Sequence, residues 1–291
     1  MLPLAVYWNV DPVIFQIGSF GVRWYSLGFL LAFALGYYII ARMFKHEKIN
    51  EQYLDSLLLY IFLAVLLGAR LGHCLFYEPG YFCTAEHWTE IFWPFSDGQF
   101  TGFQGLASHG AAVGILAALW LYWRKYGMNA IWFLDRLVIV VALGGAFIRL
   151  GNLFNSEIYG GPTDLPWGFV FMQNGEEVPK HPTQLYESLS YFIIFGVSLW
   201  YYIKNKGKFK TGGIFGWWLV ALFGMRFLIE FVKNDQVDFE AGMVLNMGQL
   251  LSLPFIIGGL AIAWLSHKEK LPQGAFPKGE KHQFKAKEKK K

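Results

Sequence analysis

Apolar residues gather along this chain into seven blocks of roughly 20, the length an α-helix needs to cross a bilayer. They fall at residues 24–44, 53–77, 106–123, 131–152, 183–203, 212–232 and 247–266. The pattern predicts an all-α polytopic membrane protein with seven transmembrane helices in one domain over 1–266, the glycine-rich third block being the least regular. Residues 1–20 lack a basic leader and are interrupted by Asp11-Pro12, so they read as an interfacial lead-in, not a signal peptide. From residue 267 onward the chain is a polar, lysine-rich tail.

Charge fixes the expected orientation. Lys and Arg concentrate in alternate connectors: Arg42, Lys45 and Lys48; Arg124 and Lys125; Lys204, Lys206, Lys208 and Lys210; and the lysines of the tail. The other segments carry only Arg23, Lys180 and Lys233. The positive-inside rule therefore puts the N-terminus outside and the C-terminus and tail in the cytoplasm. The long connectors 78–105 and 153–182 are then extracytoplasmic and expected to form a small head; both hold more acid than base. A composition 55% hydrophobic and 19% aromatic suits lipid-facing surfaces and interfacial belts. Cys74 and Cys83 give no disulfide framework and no metal spacing, and read as small apolar residues.

Four arginines remain inside the blocks: Arg70, Arg136, Arg149 and Arg226. An arginine at membrane depth costs about 2.5–3.5 kcal/mol on insertion scales, so each needs a polar partner or a ligand. Arg136, beside Asp135 at the cytoplasmic start of its block, reads as an interfacial ion pair. The other three lie late in blocks that run outward. In the stretch 143–157, LGGAFIRLGNLFNSE, Arg149 and Asn152 share a helix face and Asn155 follows one turn on, a polar stripe facing inward. Arg226 and Glu230 are spaced i, i+4, and Glu157 and Glu230 are the acids nearest in sequence to the two arginines. His109, in GLASHGAAVG, and Trp24 and Tyr25 open their blocks at the same outer depth. The run 181–187, HPTQLYE, reads as a helix start with proline in its first turn.

With DPVIFQIG, RWYSLGF, GARLGHCLFY, SHG, RLGNLFNSEIYG, HPTQLYES, GMRFLIEF and MGQLLSLP in this order over nearly its whole length, the chain resembles the prolipoprotein diacylglyceryl transferases of bacteria. The resemblance implies seven transmembrane helices with an outward N-terminus, in the cytoplasmic (inner) membrane, and an active site towards the extracytoplasmic side. It implies transfer of a diacylglyceryl group from phosphatidylglycerol to the thiol of a lipobox cysteine in a prolipoprotein signal peptide, giving a thioether and glycerol phosphate. It associates Arg149 and Arg226 with the headgroup and activity, makes His109 the proton acceptor, and points to Tyr25, Asn152, Glu157 and Glu230 as polar site residues. Ile148, Ser156 and Ala111 stand where the family commonly has glycine.

The chemistry needs a thiolate, a leaving group and exclusion of water. A cysteine thiol has a pKa near 8.5, so a base or a cationic field must raise its thiolate fraction. His109 is the expected base. Arg149 and Arg226 are expected to hold the phosphodiester and the charge that grows on the departing phosphate. Tyr25 joins His109, Arg149 and Arg226 in the expected catalytic set, and Asn152, Asn155, Glu157, Glu230 and Arg70 complete the expected substrate-binding set. The activated bond comes with the lipid, so no cofactor or metal is expected, and the sequence holds no P-loop, HExxH or metal-spaced cluster. Phosphatidylglycerol, the signal peptide and the bilayer are the expected partners, with no nucleic acid. A transporter would spread polar groups through both halves of the membrane, and an intramembrane protease would need a Ser/His, paired Asp or HExxH set. Neither pattern is present.

Overall fold

The computed structural model of the chain describes residues 5–17, 20–82, 84, 88–92, 95–96, 99–100, 108–233 and 245–280. Its long helices are α1 (Trp24–His46), α2 (Gln52–Phe76), α4 (Ser108–Tyr126), α5 (Ala130–Phe154), α6 (Thr183–Lys204), α7 (Gly213–Ile229) and α8 (Met247–His267), with a one-turn α3 (Pro79–Phe82). A helix thus forms at each apolar block. Five regions, α1, α2, α5, residues Gly213–Val232 and α8, are long and apolar enough to cross a membrane. Helices α4 and α6 stand outside that set; α6 carries Gln184, Glu187 and the tyrosines 186, 191, 201 and 202.

The chain folds into two compact units. The first comprises Met1–Glu47 and Ile131–Gln273, the second Lys48–Ala130 and Gly274–Lys291. In the second unit α2 and α4 pack through glycine: a Cβ on Gly68, Gly110 or Gly114 would collide with backbone of the facing helix, so the small residues set the close approach. The start of the tail is docked there. Asn129 N–H donates to the Ala275 carbonyl (2.8 Å), the Tyr53 hydroxyl donates to Glu280 Oε2 (3.2 Å), and the Tyr53 and Phe276 rings lie 5.1 Å apart.

In the first unit α5 is central. Over its most apolar window 56% of residues are buried inside the protein, against 17–33% for the other candidate spans. Its Val138, Ile139, Ala142 and Ala146 meet Met43 of α1, Tyr191, Ile194 and Tyr202 of α6, and Ile214, Trp218 and Leu219 of α7. Helix α7 packs on α8 where Gly216 and Gly259 face each other. A capping box opens α8, with Asn246 Oδ1 accepting from Gln249 N–H (2.9 Å) and Gln249 Oε1 accepting from Asn246 N–H (3.1 Å).

Two expectations change. The interior charges at the basic end pair across helices and not along one: Arg136 binds Glu47 (Nη2 to Oε2, 2.7 Å), while Asp135 accepts from Gly212 N–H (2.7 Å) and Phe215 N–H (2.8 Å) at the start of α7. Adjacent residues on a helix point about 100° apart, so Asp135 and Arg136 serve different neighbours. The fold also contains strands. The N-terminal lead-in forms β1 (Ala5–Trp8) and the hairpin β2 (Val13–Ile17) with β3 (Phe20–Arg23); β4 (Phe95–Ser96) pairs with β5 (Gln99–Phe100) in the second unit; and β1 pairs in parallel with β6 (Gly168–Phe171), Ala5 opposite Gly168. Among the described residues every sheet is two-stranded and none closes.

Candidate functional site

The C-terminal end of α5 is where the first unit gathers its polar groups. Helix α5 stops in a Schellman turn: Glu157 N–H reaches the Asn152 carbonyl (3.0 Å) and Ser156 N–H the Leu153 carbonyl (2.9 Å), with Ser156 left-handed at φ 54°. The Trp8 indole of β1 donates to the Leu153 carbonyl (3.0 Å), supplying one of the donors a helix end lacks, and Trp24 stacks on Phe154 (4.9 Å). These contacts hold the last turns of α5 in place and turn the chain back over them.

Along this turn the expected stripe is formed. Arg149 Nη1 donates to Asn152 Oδ1 (3.1 Å), and Asn152 Nδ2 and Asn155 Nδ2 both donate to Glu157 Oε1 (2.7 and 3.1 Å). Asn152 is 5% exposed, so its amide is committed to this chain of bonds. Tyr25 of α1 lies against Gly151; a Cβ there would stand 2.6 Å from the Tyr25 ring. The absent side chain at Gly151 thereby lets Tyr25 pack directly on α5.

The counter-ion of Arg149 is neither of the acids nearest in sequence. Its Nε pairs with Glu187 Oε2 of α6. Glu187 is 1% exposed, and its other oxygen accepts from Lys233 Nζ (2.7 Å), which also lies 3.4 Å from Glu230 Oε2. A buried relay therefore runs from Arg149 through Glu187 and Lys233 to Glu230. Glu230 begins a 3₁₀ turn (Glu230–Val232), and its carboxylate occupies the space left by the absent side chain of Gly248 in α8. The i, i+4 spacing of Arg226 and Glu230 does not produce an ion pair, because Lys233 and that space draw the carboxylate away.

Arg226 lies within electrostatic range of Tyr191. This residue, one turn beyond Glu187 on α6, interacts electrostatically with Glu187, Arg149 and Arg226. Among the described residues Arg226 has no ion pair or hydrogen bond of its own side chain, although it is partly buried. Arg149 and Lys233 thus meet two buried carboxylates, Glu187 and Glu230, while the exposed Glu157 is bound to the two asparagine amides. Asn155 Oδ1, Ser156 Oγ and Gln184 Oε1 are buried nearby with no hydrogen-bond partner among the described residues. Such acceptors are costly when dry, and a ligand with hydroxyl donors satisfies them.

The loop 155–182 closes over these groups. Thr183 Oγ1 donates to the Ile158 carbonyl (2.9 Å), Gln184 Nε2 to the Glu157 carbonyl (2.6 Å), and Gly161 N–H to the Val232 carbonyl (3.0 Å). The Tyr159 hydroxyl donates to Glu176 Oε1 (2.8 Å), which with Lys180 holds the Glu176 carboxyl below its ordinary pKa.

Arg70 and His109 belong to the second unit. Arg70 is 8% exposed and donates to the carbonyls of Glu90 (2.7 Å) and Ile91 (3.2 Å), with its guanidinium over the Phe82 ring at 4.7 Å. His109 lies in the first turn of α4, and its side chain falls outside the described residues. Sequence reasoning passed over Glu187, Lys233 and Tyr191. Glu187 carried a signal: it is the sole acidic residue in the apolar block 183–203, and an acid inside a span marks a partnered site.

Comparison with known proteins identifies the family. The sequence model of the prolipoprotein diacylglyceryl transferase family matches residues 12–265. A phosphatidylglycerol–prolipoprotein diacylglyceryl transferase of Bacteroides fragilis is 42% identical over 273 residues, covering 92% of this chain and 98% of the relative. Those of Tolumonas auensis and Porphyromonas gingivalis are 43% and 41% identical, each over 91% of this chain and over 99% and 94% of their own lengths. Matched by the family model over most of its length and by relatives more than 40% identical over at least 91% of it, the chain belongs to the prolipoprotein diacylglyceryl transferase family.

Proposed function

We propose that the protein transfers the diacylglyceryl group of phosphatidylglycerol to the thiol of a lipobox cysteine in a prolipoprotein signal peptide, the opening step of bacterial lipoprotein maturation. The cysteine thiolate attacks the glycerol carbon that bears the phosphate. A sulfur–carbon bond forms, the carbon–oxygen bond breaks with its electrons passing to the phosphate, and glycerol phosphate leaves. The relatives' names support the reaction. The observation that carries it in this chain is Arg226, partly buried beside the Arg149–Tyr191–Glu187 group with no counter-ion among the described residues. A phosphodiester oxygen supplies that counter-charge in the charge-assisted geometry guanidinium groups favour.

In this reading Arg226 meets the phosphate, and Arg149, held by Glu187 and Asn152, provides the second positive group as charge grows on the leaving phosphate. The unpartnered oxygens of Asn155 and Gln184 accept from the headgroup glycerol hydroxyls. Tyr25 orients the same headgroup from α1, and Glu157 and Glu230 position the asparagines and Lys233. His109 takes the thiol proton. Arg70 ties the segment after α2 in place through backbone carbonyls. All seven long helices span the cytoplasmic membrane, with the N-terminus outside. The basic connectors lie at the helix ends opposite the relay, which supports an extracytoplasmic active site.

The test is thioether formation by the purified full chain with phosphatidylglycerol and a lipobox peptide. Arg226→Gln and Arg149→Gln are each expected to lower turnover about 10²–10³-fold, the effect of losing one preorganised donor to a developing anion. Near-normal turnover in both variants overturns the reading. Unchanged turnover and pH profile in His109→Asn remove that residue as the base.

A further inference from the structure

The first unit has a cleft at the other end of the helices that carry the relay. Trp218 follows the start of α7 and Ile194 and Trp200 lie in the second half of α6, with Glu187 near the start of that helix. The 13 residues from Glu187 to Trp200 correspond to about 20 Å of helix. The cleft encloses about 690 Å³ between α6, α7 and α8, and among its walls are Ile194, Val197, Trp217, Ala221 and Ala263. That volume suits a ligand pocket and exceeds a packing defect.

Two features mark it as more than an apolar surface. Trp218, 8% exposed, lines the cleft, and its indole Nε1 is buried without an acceptor among the described residues. A buried N–H left dry costs a full desolvation penalty, so a ligand that brings an oxygen acceptor is favoured over bare hydrocarbon. Lysines stand at the mouth. Lys210 is already engaged with Glu269 (3.0 Å) and the His267 carbonyl (3.0 Å), whereas the exposed Lys208 has no ion pair among the described residues. Trp200 and Trp217 are 58% and 62% exposed, as in an interfacial aromatic belt.

We propose that this cleft is a binding site for one anionic phospholipid, separate from the reacting lipid: acyl chains lie between α6, α7 and α8, an ester carbonyl accepts from Trp218 Nε1, and the phosphate meets Lys208. Its occupant stabilises the basic end of the bundle. The assignment does not depend on the reaction assigned to the relay.

The full-length protein in detergent, titrated with phosphatidylglycerol or with phosphatidylcholine of the same chains and read by native mass spectrometry, tests it. The wild type is expected to retain a phosphatidylglycerol that Arg226→Gln also retains. Trp218→Phe is expected to weaken that lipid about three- to tenfold, the range for one net hydrogen bond. Lys208→Gln should weaken it about fivefold for phosphatidylglycerol only. Ala221→Trp, which fills the cleft, displaces it while leaving both recognition groups in place. Equal retention in Trp218→Phe, Lys208→Gln and wild type overturns the proposal, as does phosphatidylcholine binding as tightly as phosphatidylglycerol.

Discussion

Glu187→Gln is the sharpest test of the relay. The substitution keeps the shape of the side chain and removes one charge that neutralises both Arg149 and Lys233, whose side chains are 15% and 2% exposed. Lys233 is left with Glu230 at 3.4 Å, and Arg149 with the neutral amide of Asn152. Removing one partner of a buried ion pair costs about 3–5 kcal/mol, a large part of the about 5–15 kcal/mol by which folded domains are stable. In a thermal scan of the detergent-solubilised protein this is a fall of roughly 5–15 °C. Lys233→Met alone strands Glu230, leaves Glu187 with Arg149 only, and should cost a similar amount. The double variant Glu187→Gln/Lys233→Met removes charge of both signs, so its loss should fall short of the sum of the single losses by about 2 kcal/mol or more. Additivity within about 0.5 kcal/mol would refute the claim that these side chains form one buried unit.

Ser156→Gly should raise stability by about 1 kcal/mol in the same scan: it relieves the cost of about 1–2 kcal/mol for a left-handed non-glycine residue, offset by glycine's larger unfolded-state entropy. Asp135→Asn, which weakens the two bonds to Gly212 N–H and Phe215 N–H in a fully buried setting, should cost about 1–3 kcal/mol and leave the Km for phosphatidylglycerol unchanged. The Glu176 carboxyl is held below its ordinary value, so its contribution is present above the unfolded carboxylate pKa of about 4.3 and is lost as pH falls through the lower folded-state value. Glu176→Gln should therefore lower stability at neutral pH and leave it nearly unaffected near pH 3, flattening the acid limb of the profile below about pH 5, as a scan series from about pH 7 to pH 3 would report.

The polar stripe on α5 was legible because its residues are local. Arg149 to Asn152 is one helical turn, and the two side chains expected to share a face there are hydrogen-bonded to each other. The same rule failed for Arg226 and Glu230, where another cation and the room beside Gly248 compete for the carboxylate. The partner of Arg149 was illegible for a related reason: nearness in sequence carries no information about which helix packs alongside. Nor does hydropathy reveal a parallel pairing such as β1 with β6, which joins residues more than 150 positions apart. Ser156 is an intermediate case. The family resemblance marks the position as one where glycine is usual, and the Schellman turn supplies the cause in its left-handed φ.

By itself the sequence determined where the helices lie, because a block of apolar residues long enough to span a bilayer must satisfy its backbone internally. It also determined the Arg149–Asn152 stripe, because 3.6 residues per turn fixes which side chains share a face. Only the tertiary structure decided which charges meet. Packing of α5 against α6 and the chain following α7 brings Arg149, Glu187 and Lys233 within bonding distance, and burial then makes their mutual neutralisation obligatory, since an unpaired charge away from water is too costly to persist.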